Sequence, residues 1–207
     1  MTRQSGFPAG AFDKEDRGSD LAFYAEPRLV THIDEGAIAA LTGFYAATIP
    51  PRAVVLDLMS SWVSHLPEDL ATAEVIGHGM NAVELAANPR LDRWFIADLN
   101  DAPTLPLADA SVDAVLCCVG VQYLQQPVEV FGDVRRILRP GGLFIASYAN
   151  RCFPTKAVRL WRALSMAEQA ELIRLYMAQA GFATAEATVL ADGTASDPMV
   201  AVTGRRD

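Results

Sequence analysis

The chain has 207 residues, 51% of them apolar and 20% charged, which is enough apolar material for a packed core and excludes wholesale disorder. Its formal net charge of −8, with no dense Lys/Arg cluster, argues against a nucleic-acid partner, because phosphate binding demands a basic stripe. No apolar run reaches the roughly 18 residues of a membrane span, residues 1–25 lack a secretory leader's continuous apolar stretch, and the three cysteines lack metal spacing. A cytoplasmic protein with a small-molecule ligand is therefore expected, without membrane or metal partners.

In chain order, the first 20 or so residues are polar and Gly-containing and read as loose. A helical pattern begins near Pro27, with Ile38, Leu41, Tyr45 and Ile49 on one face, and ends at Pro50-Pro51. Five short apolar runs then predict strands buried on both faces of a parallel sheet: 53–58, 73–77, 93–99, 112–119 and 142–148. Helices are expected between them at 81–88 and 127–138, the latter stopped by Arg139-Pro140-Gly141-Gly142. Ser165 and Glu168 form a capping box for a further helix, which Gly181 ends. The runs at 184–190 and 199–203, joined through Asp192-Gly193, read as an antiparallel hairpin. The sum is an α/β Rossmann-like three-layer sandwich, with a seven-stranded mostly parallel sheet and a C-terminal antiparallel hairpin. Residues 1–50 form an N-terminal extension and helical lid, and 51–207 the Rossmann-like domain.

Several short motifs stand in a telling order: Val55-Leu56-Asp57-Leu58, then Asp98-Leu99, then Leu105-Pro106-Leu107, Asp109-Ala110-Ser111-Val112-Asp113, and finally Leu138-Arg139-Pro140-Gly141-Gly142. In order and spacing they resemble the class I S-adenosylmethionine (SAM) dependent methyltransferases of the type 11 group. The resemblance implies SAM as cofactor and methyl transfer to a small or medium-sized acceptor at oxygen or nitrogen. It places Asp57 and the Met59-Ser60-Ser61 loop at the methionine part, with Gly79, Met80 and Asn81 at the ribose. It puts Asp98 and Leu99 at the adenine, and Cys118 facing the crevice.

The chain departs from that family twice. Met59, Ser61 and Val63 stand where the family's three loop glycines belong, and Gly79 stands where an acid is expected to hold the ribose. One reading is a reshaped SAM site. The other is a non-catalytic methyltransferase-like protein that binds another ligand or a partner. A Rossmann-type oxidoreductase is disfavoured, because G-x-G-x-x-G is missing. Tyr148 and His32 are candidate catalytic groups, and Tyr24, Arg28, Asn150 and Arg151 candidate acceptor contacts. His65 reads as a surface residue or a general base, His78 as a strand-end residue or a ligand contact, and Asp34 as a helix cap or part of the acceptor site.

Overall fold

A computed structural model describes residues 6–207. Its seven strands are β1 (Val54–Asp57), β2 (Glu74–Gly79), β3 (Arg93–Ile96), β4 (Val112–Cys118), β5 (Leu138–Ala149), β6 (Ala185–Ala191) and β7 (Met199–Arg205). They form one sheet in the order β3-β2-β1-β4-β5-β7-β6, in which β1 to β5 pair in parallel and β7 runs antiparallel to both β5 and β6. The strand order turns back between β1 and β4, where Asp57 stands opposite Gly77 on one side and Leu116 on the other.

Strand alternation divides the core in two. Val55, Ala114, Leu116, Ile145 and Ala201 face one layer, and Leu56, Val115, Phe144, Ala146 and Val202 face the other. The first face is closed by α2 (Glu35–Thr48), whose Ala37, Leu41 and Tyr45 are fully buried. The second is closed by α4 (Pro127–Ile137) and α6 (Met166–Gln179), with Phe131 set edge-on to Phe144 at 4.7 Å. The short helices α1 (Asp20–Phe23), α3 (Ala82–Ala87) and α5 (Arg159–Arg162) complete the set. The connection from β1 to β2, residues 58–73, holds no helix, and its Leu66 and Leu70 pack into the α2 side of the core.

The strand and helix positions follow the sequence reading, with physical shifts at the ends. Helix α2 starts at Glu35 rather than near Pro27, because Asp34 caps it by accepting from the Ala37 N–H at 2.9 Å. It packs flat on the sheet as a layer, so the cavity described below is covered by residues 24–33 instead. Strand β5 starts at Leu138, ahead of the glycines, because Leu138 already pairs with Val112 before a register shift. Strand β3 stops at Ile96, after which the Asp98 carboxylate turns to accept from the Asn100 N–H. The capping box of Ser165 and Glu168 forms as read, and Gly181 takes φ +91 just past α6.

The expectation of a loose N-terminus is overturned for residues 6–20. Phe7 and Phe12 stack on Tyr176 of α6, and the Ala11 and Asp13 carbonyls accept from Leu160 and Arg159 N–H groups. Buried Lys14 and Lys156 both pair with buried Asp20, and Asn100 donates to the same carboxylate. Residues 1–5 lie outside the described part.

Candidate functional site

A cavity of about 290 Å³ opens at the carboxyl ends of β1, β2 and β4, where the strand order turns back. Open parallel sheets bind ligands at this point. Its wall holds Asp57, Met59, Ser60, Ser61, Gly79, Met80, Asn81 and Cys118, together with Tyr24, Arg28, His32 and Arg151 from the candidate list. The wall does not include Asp98, Leu99, Tyr148 or Asn150.

Each misplacement has a local cause. Tyr148 is fully buried, stands edge-on to Trp161, and donates its hydroxyl to the Met166 carbonyl at 2.5 Å, so it is a packing residue. Asn150 points outward as an exposed residue. Leu99 is buried in the core, and the Asp98 loop is fastened at Asn100 to Asp20, the Tyr123 carbonyl and the Gln125 N–H. Asn81 reaches the wall, but its amide is occupied. It donates to the Tyr24 and Ala25 carbonyls and accepts from the Val83 and Glu84 N–H groups. Arg151 carries an ion pair to Asp197 at 2.7 Å.

The altered loop has its own architecture. Met59 adopts φ +59, its N–H donates to His78 Nδ1 at 3.1 Å, and the Ser60 N–H donates to the His78 carbonyl. The Ser60 hydroxyl donates to Asp57 at 2.5 Å and the Ser61 hydroxyl to Glu84 at 2.6 Å. The loop has thereby moved onto the end of β2. A Cβ on Gly79 would stand 2.6 Å from the Ser60 carbonyl oxygen, so the family's acid has no room there. On the other flank, a Cβ on Gly120 would meet Met59 and Cys117 at 3.0 Å.

Electrostatics single out three wall groups. Burial pushes the Asp57 carboxyl up to about 6, against the opposing pull of the Ser60 and Ser64 hydroxyls. His78, whose Nε2 stands 3.1 Å from the Ala97 carbonyl and Nδ1 faces the Met59 N–H, is held neutral by burial at about 4. His65 is lowered to about 4 by burial and by the neighbouring His32. Backbone strain gathers here too. Of the five described non-glycine residues with positive φ, Met59, His65 and Val119 lie on this wall. For a β-branched valine this is a real outlier, of the kind that clusters at working sites.

Wall residues without a sequence signal include Glu84 and Phe153. Glu84 accepts from the Arg28 N–H at 2.7 Å as well as from Ser61. Phe153 stands with Phe23 and Tyr24 around the Arg28 guanidinium, at 4.7 to 5.7 Å. Only the position of Phe153 just after β5, where an acceptor approaches, offered a hint.

A family profile described as "Methyltransferase domain" matches residues 59–146, the stretch from the altered loop into β5. Over that stretch the chain resembles the methyltransferase-domain family. Among curated relatives, the malonyl-acyl-carrier-protein O-methyltransferase of Hahella chejuensis is 33% identical over 94 residues, covering 42% of this chain and 33% of that protein. The demethylmenaquinone methyltransferase of Renibacterium salmoninarum is 36% identical over 76 residues, or 36% of this chain and 30% of that one. The chain thus spans about a third of the curated relatives it matches. Among solved structures, an Aquifex aeolicus SAM-dependent methyltransferase has TM-score 0.61 at 13% identity, covering 83% of this chain and 92% of its own. The 4+2 cyclase SpnF has TM-score 0.62 at 17% identity, covering 90% of each. At these identities the structural likeness concerns the fold.

Proposed function

We propose that the protein transfers a methyl group from SAM to a small acceptor bound in this cavity. The observation that carries the reading is the cavity's place between β1 and β4, with buried Asp57 on its floor and the 59–61 loop as its wall. The methionine end fits. Asp57 offers a carboxyl, Ser60 and Ser61 offer hydroxyls, and Gly120 lines the same wall. The ribose end is reduced to backbone at Gly79 and Met80, since Asn81 is engaged. The adenine end does not fit as it stands, because Asp98 and Leu99 are off the wall.

SAM supplies an already activated methyl sulfonium. The protein's own residues have to bind, orient and keep water out. Arg28 and its aromatic neighbours cover the mouth, and Trp62 ties that cover to the altered loop through the Val30 carbonyl.

The unfilled adenine end favours a second reading, a methyltransferase-like protein that binds a different ligand without methyl transfer. Calorimetric titration with SAM and S-adenosylhomocysteine, with NAD as control, separates the two. Micromolar binding of the first two alone is the expected result. An absence of both heat and thermal shift with all three compounds sinks the methyl-transfer reading.

A further inference from the structure

Because Asp98 and Leu99 stand off the wall and position 79 has no acid, the cavity's ligand has to be read from what the wall does offer. The wall carries two guanidinium groups. That of Arg151 is paired with Asp197 at 2.7 Å. That of Arg28 has no carboxylate partner among the described residues. Its Nη2 donates to the Phe23 carbonyl at 2.9 Å, whereas its Nη1 is shielded from solvent and donates to nothing.

A shielded cation without a counter-charge is costly, and the rings around it offset only part of that cost. Phe23, Tyr24 and Phe153 have their ring centres 4.7, 5.7 and 5.5 Å from the guanidinium carbon. The neighbouring acid does not close the pair. Glu84 accepts the Arg28 main-chain N–H with one oxygen and the Ser61 hydroxyl with the other. His32 is held unprotonated by burial and adds no charge in the neutral range. The Tyr24 hydroxyl makes no hydrogen bond to any described residue and burial keeps it protonated, so a ring that flanks the guanidinium carries a second open donor.

We propose that Arg28 and the Tyr24 hydroxyl form the seat for a ligand's single negative charge, and that the ligand is a small carboxylic acid with an apolar or aromatic body. The body is matched by Val30, Ile33 and Val63 and by the rings of Tyr123 and Phe153 on the same wall. A dianion such as phosphate is disfavoured, because the Glu84 charge stands in the same wall and repels the second charge more than Arg28 alone repays. An α-amino acid is disfavoured as well. Glu84 and Asp57 already accept two hydrogen bonds each, so an ammonium group gains little at either. The seat needs the cavity alone and holds whether or not methyl transfer takes place there.

Benzoate and benzamide are matched probes, since they share a ring and a carbonyl and only benzoate is charged at neutral pH. Each is titrated calorimetrically into the full chain without methyl donor, beside inorganic phosphate and methionine. Benzoate is expected to bind, with the other three weaker by about tenfold or more, the difference made by one charge-assisted hydrogen bond. Arg28→Gln is expected to erase the preference for benzoate over benzamide. Glu84→Gln, which removes the like charge, is expected to tighten benzoate severalfold and leave benzamide unchanged, an effect that a purely structural Arg28 would not produce. Benzamide equal to benzoate, phosphate or methionine tighter than benzoate, no benzoate heat at all, or a benzoate preference kept in Arg28→Gln overturns the assignment. The wild-type ranking and Glu84→Gln decide the matter even where Arg28→Gln does not fold, a Glu84→Gln variant that weakens benzoate or leaves it unchanged counting against the seat. The test contains no SAM, so the seat stands or falls on these probes while the methyl-transfer reading stands or falls on the SAM titration.

Discussion

At the scale of single residues, the altered loop works by substituting contacts for glycine's freedom. Met59 takes the left-handed conformation that a glycine would take without strain, and His78 holds it there by accepting its N–H. Position 79 then has to stay bare. Gly79→Asp, which restores the acid the family resemblance expects, forces its Cβ against the Ser60 carbonyl. It is expected to cost about 2 kcal/mol in denaturant unfolding, typical of overpacking against backbone. Asp57→Asn should act oppositely. A carboxyl raised from 3.8 to about 6 destabilises the fold when ionised, by up to about 3 kcal/mol. The variant should therefore match the wild type near pH 4 and exceed it above pH 6, as read by thermal unfolding across that range, at the expense of ligand binding.

At the scale of elements, the N-terminal strap is the part that carries the most testable load. Asp20 neutralises two lysines that are 5% and 1% exposed. Asp20→Ala leaves both cations buried without it, a loss of about 3–5 kcal/mol, and should free residues 6–19. Hydrogen exchange is expected to rise at Asp16 and at Arg159 and Leu160, whose N–H groups donate across that seam, while β4 amides stay protected.

None of this strap was legible in the sequence, because what buries Lys14 and Asp20 is the distant segment that carries Lys156 and the Arg159 and Leu160 N–H groups. The elements themselves were legible, because their signals are local. Apolar runs mark β1 to β5, Asp34 and Ser165 cap their helices, and Asp192-Gly193 turns the hairpin. The site was legible by half. Asp57 and the 59–61 loop, implied by the family resemblance, reach the cavity wall, whereas Tyr148 lies off it and Asn81 has its amide engaged, because only the fold reveals that the Met166, Tyr24 and Ala25 carbonyls claim their polar atoms.

At the scale of the whole molecule, the buried titratable groups around the cavity pull stability in opposite directions with pH. His78 and His65, lowered from 6.5 to about 4, leave the native state with fewer bound protons than the unfolded chain, so stability is lost as pH falls from about 6.5 toward 4. Asp57 binds its proton more readily when folded, so over 3.8 to 6 it contributes the reverse slope. In the wild type Asp57 offsets about one of the two histidine contributions, so its loss of stability on acidification is gentler than the histidines alone would give. Asp57→Asn should expose the histidine contribution as a steep loss on acidification, measured as a falling urea midpoint. An unchanged slope in that variant counts against the raised carboxyl of Asp57.

The helix-free connection between β1 and β2 makes one stretch of chain serve as both the wall of the cavity and the roof of the core. Met59 to Ser61 and Val63 to His65 face the ligand space, while Leu66 and Leu70, a few residues on, plug the α2 side of the sheet. In a fold whose crossover is a separate helix, an engineer can exchange the binding loop and leave the core alone. Here the two are welded, so grafting a glycine-rich loop from a class I methyltransferase would pull the plug from the interior along with the wall.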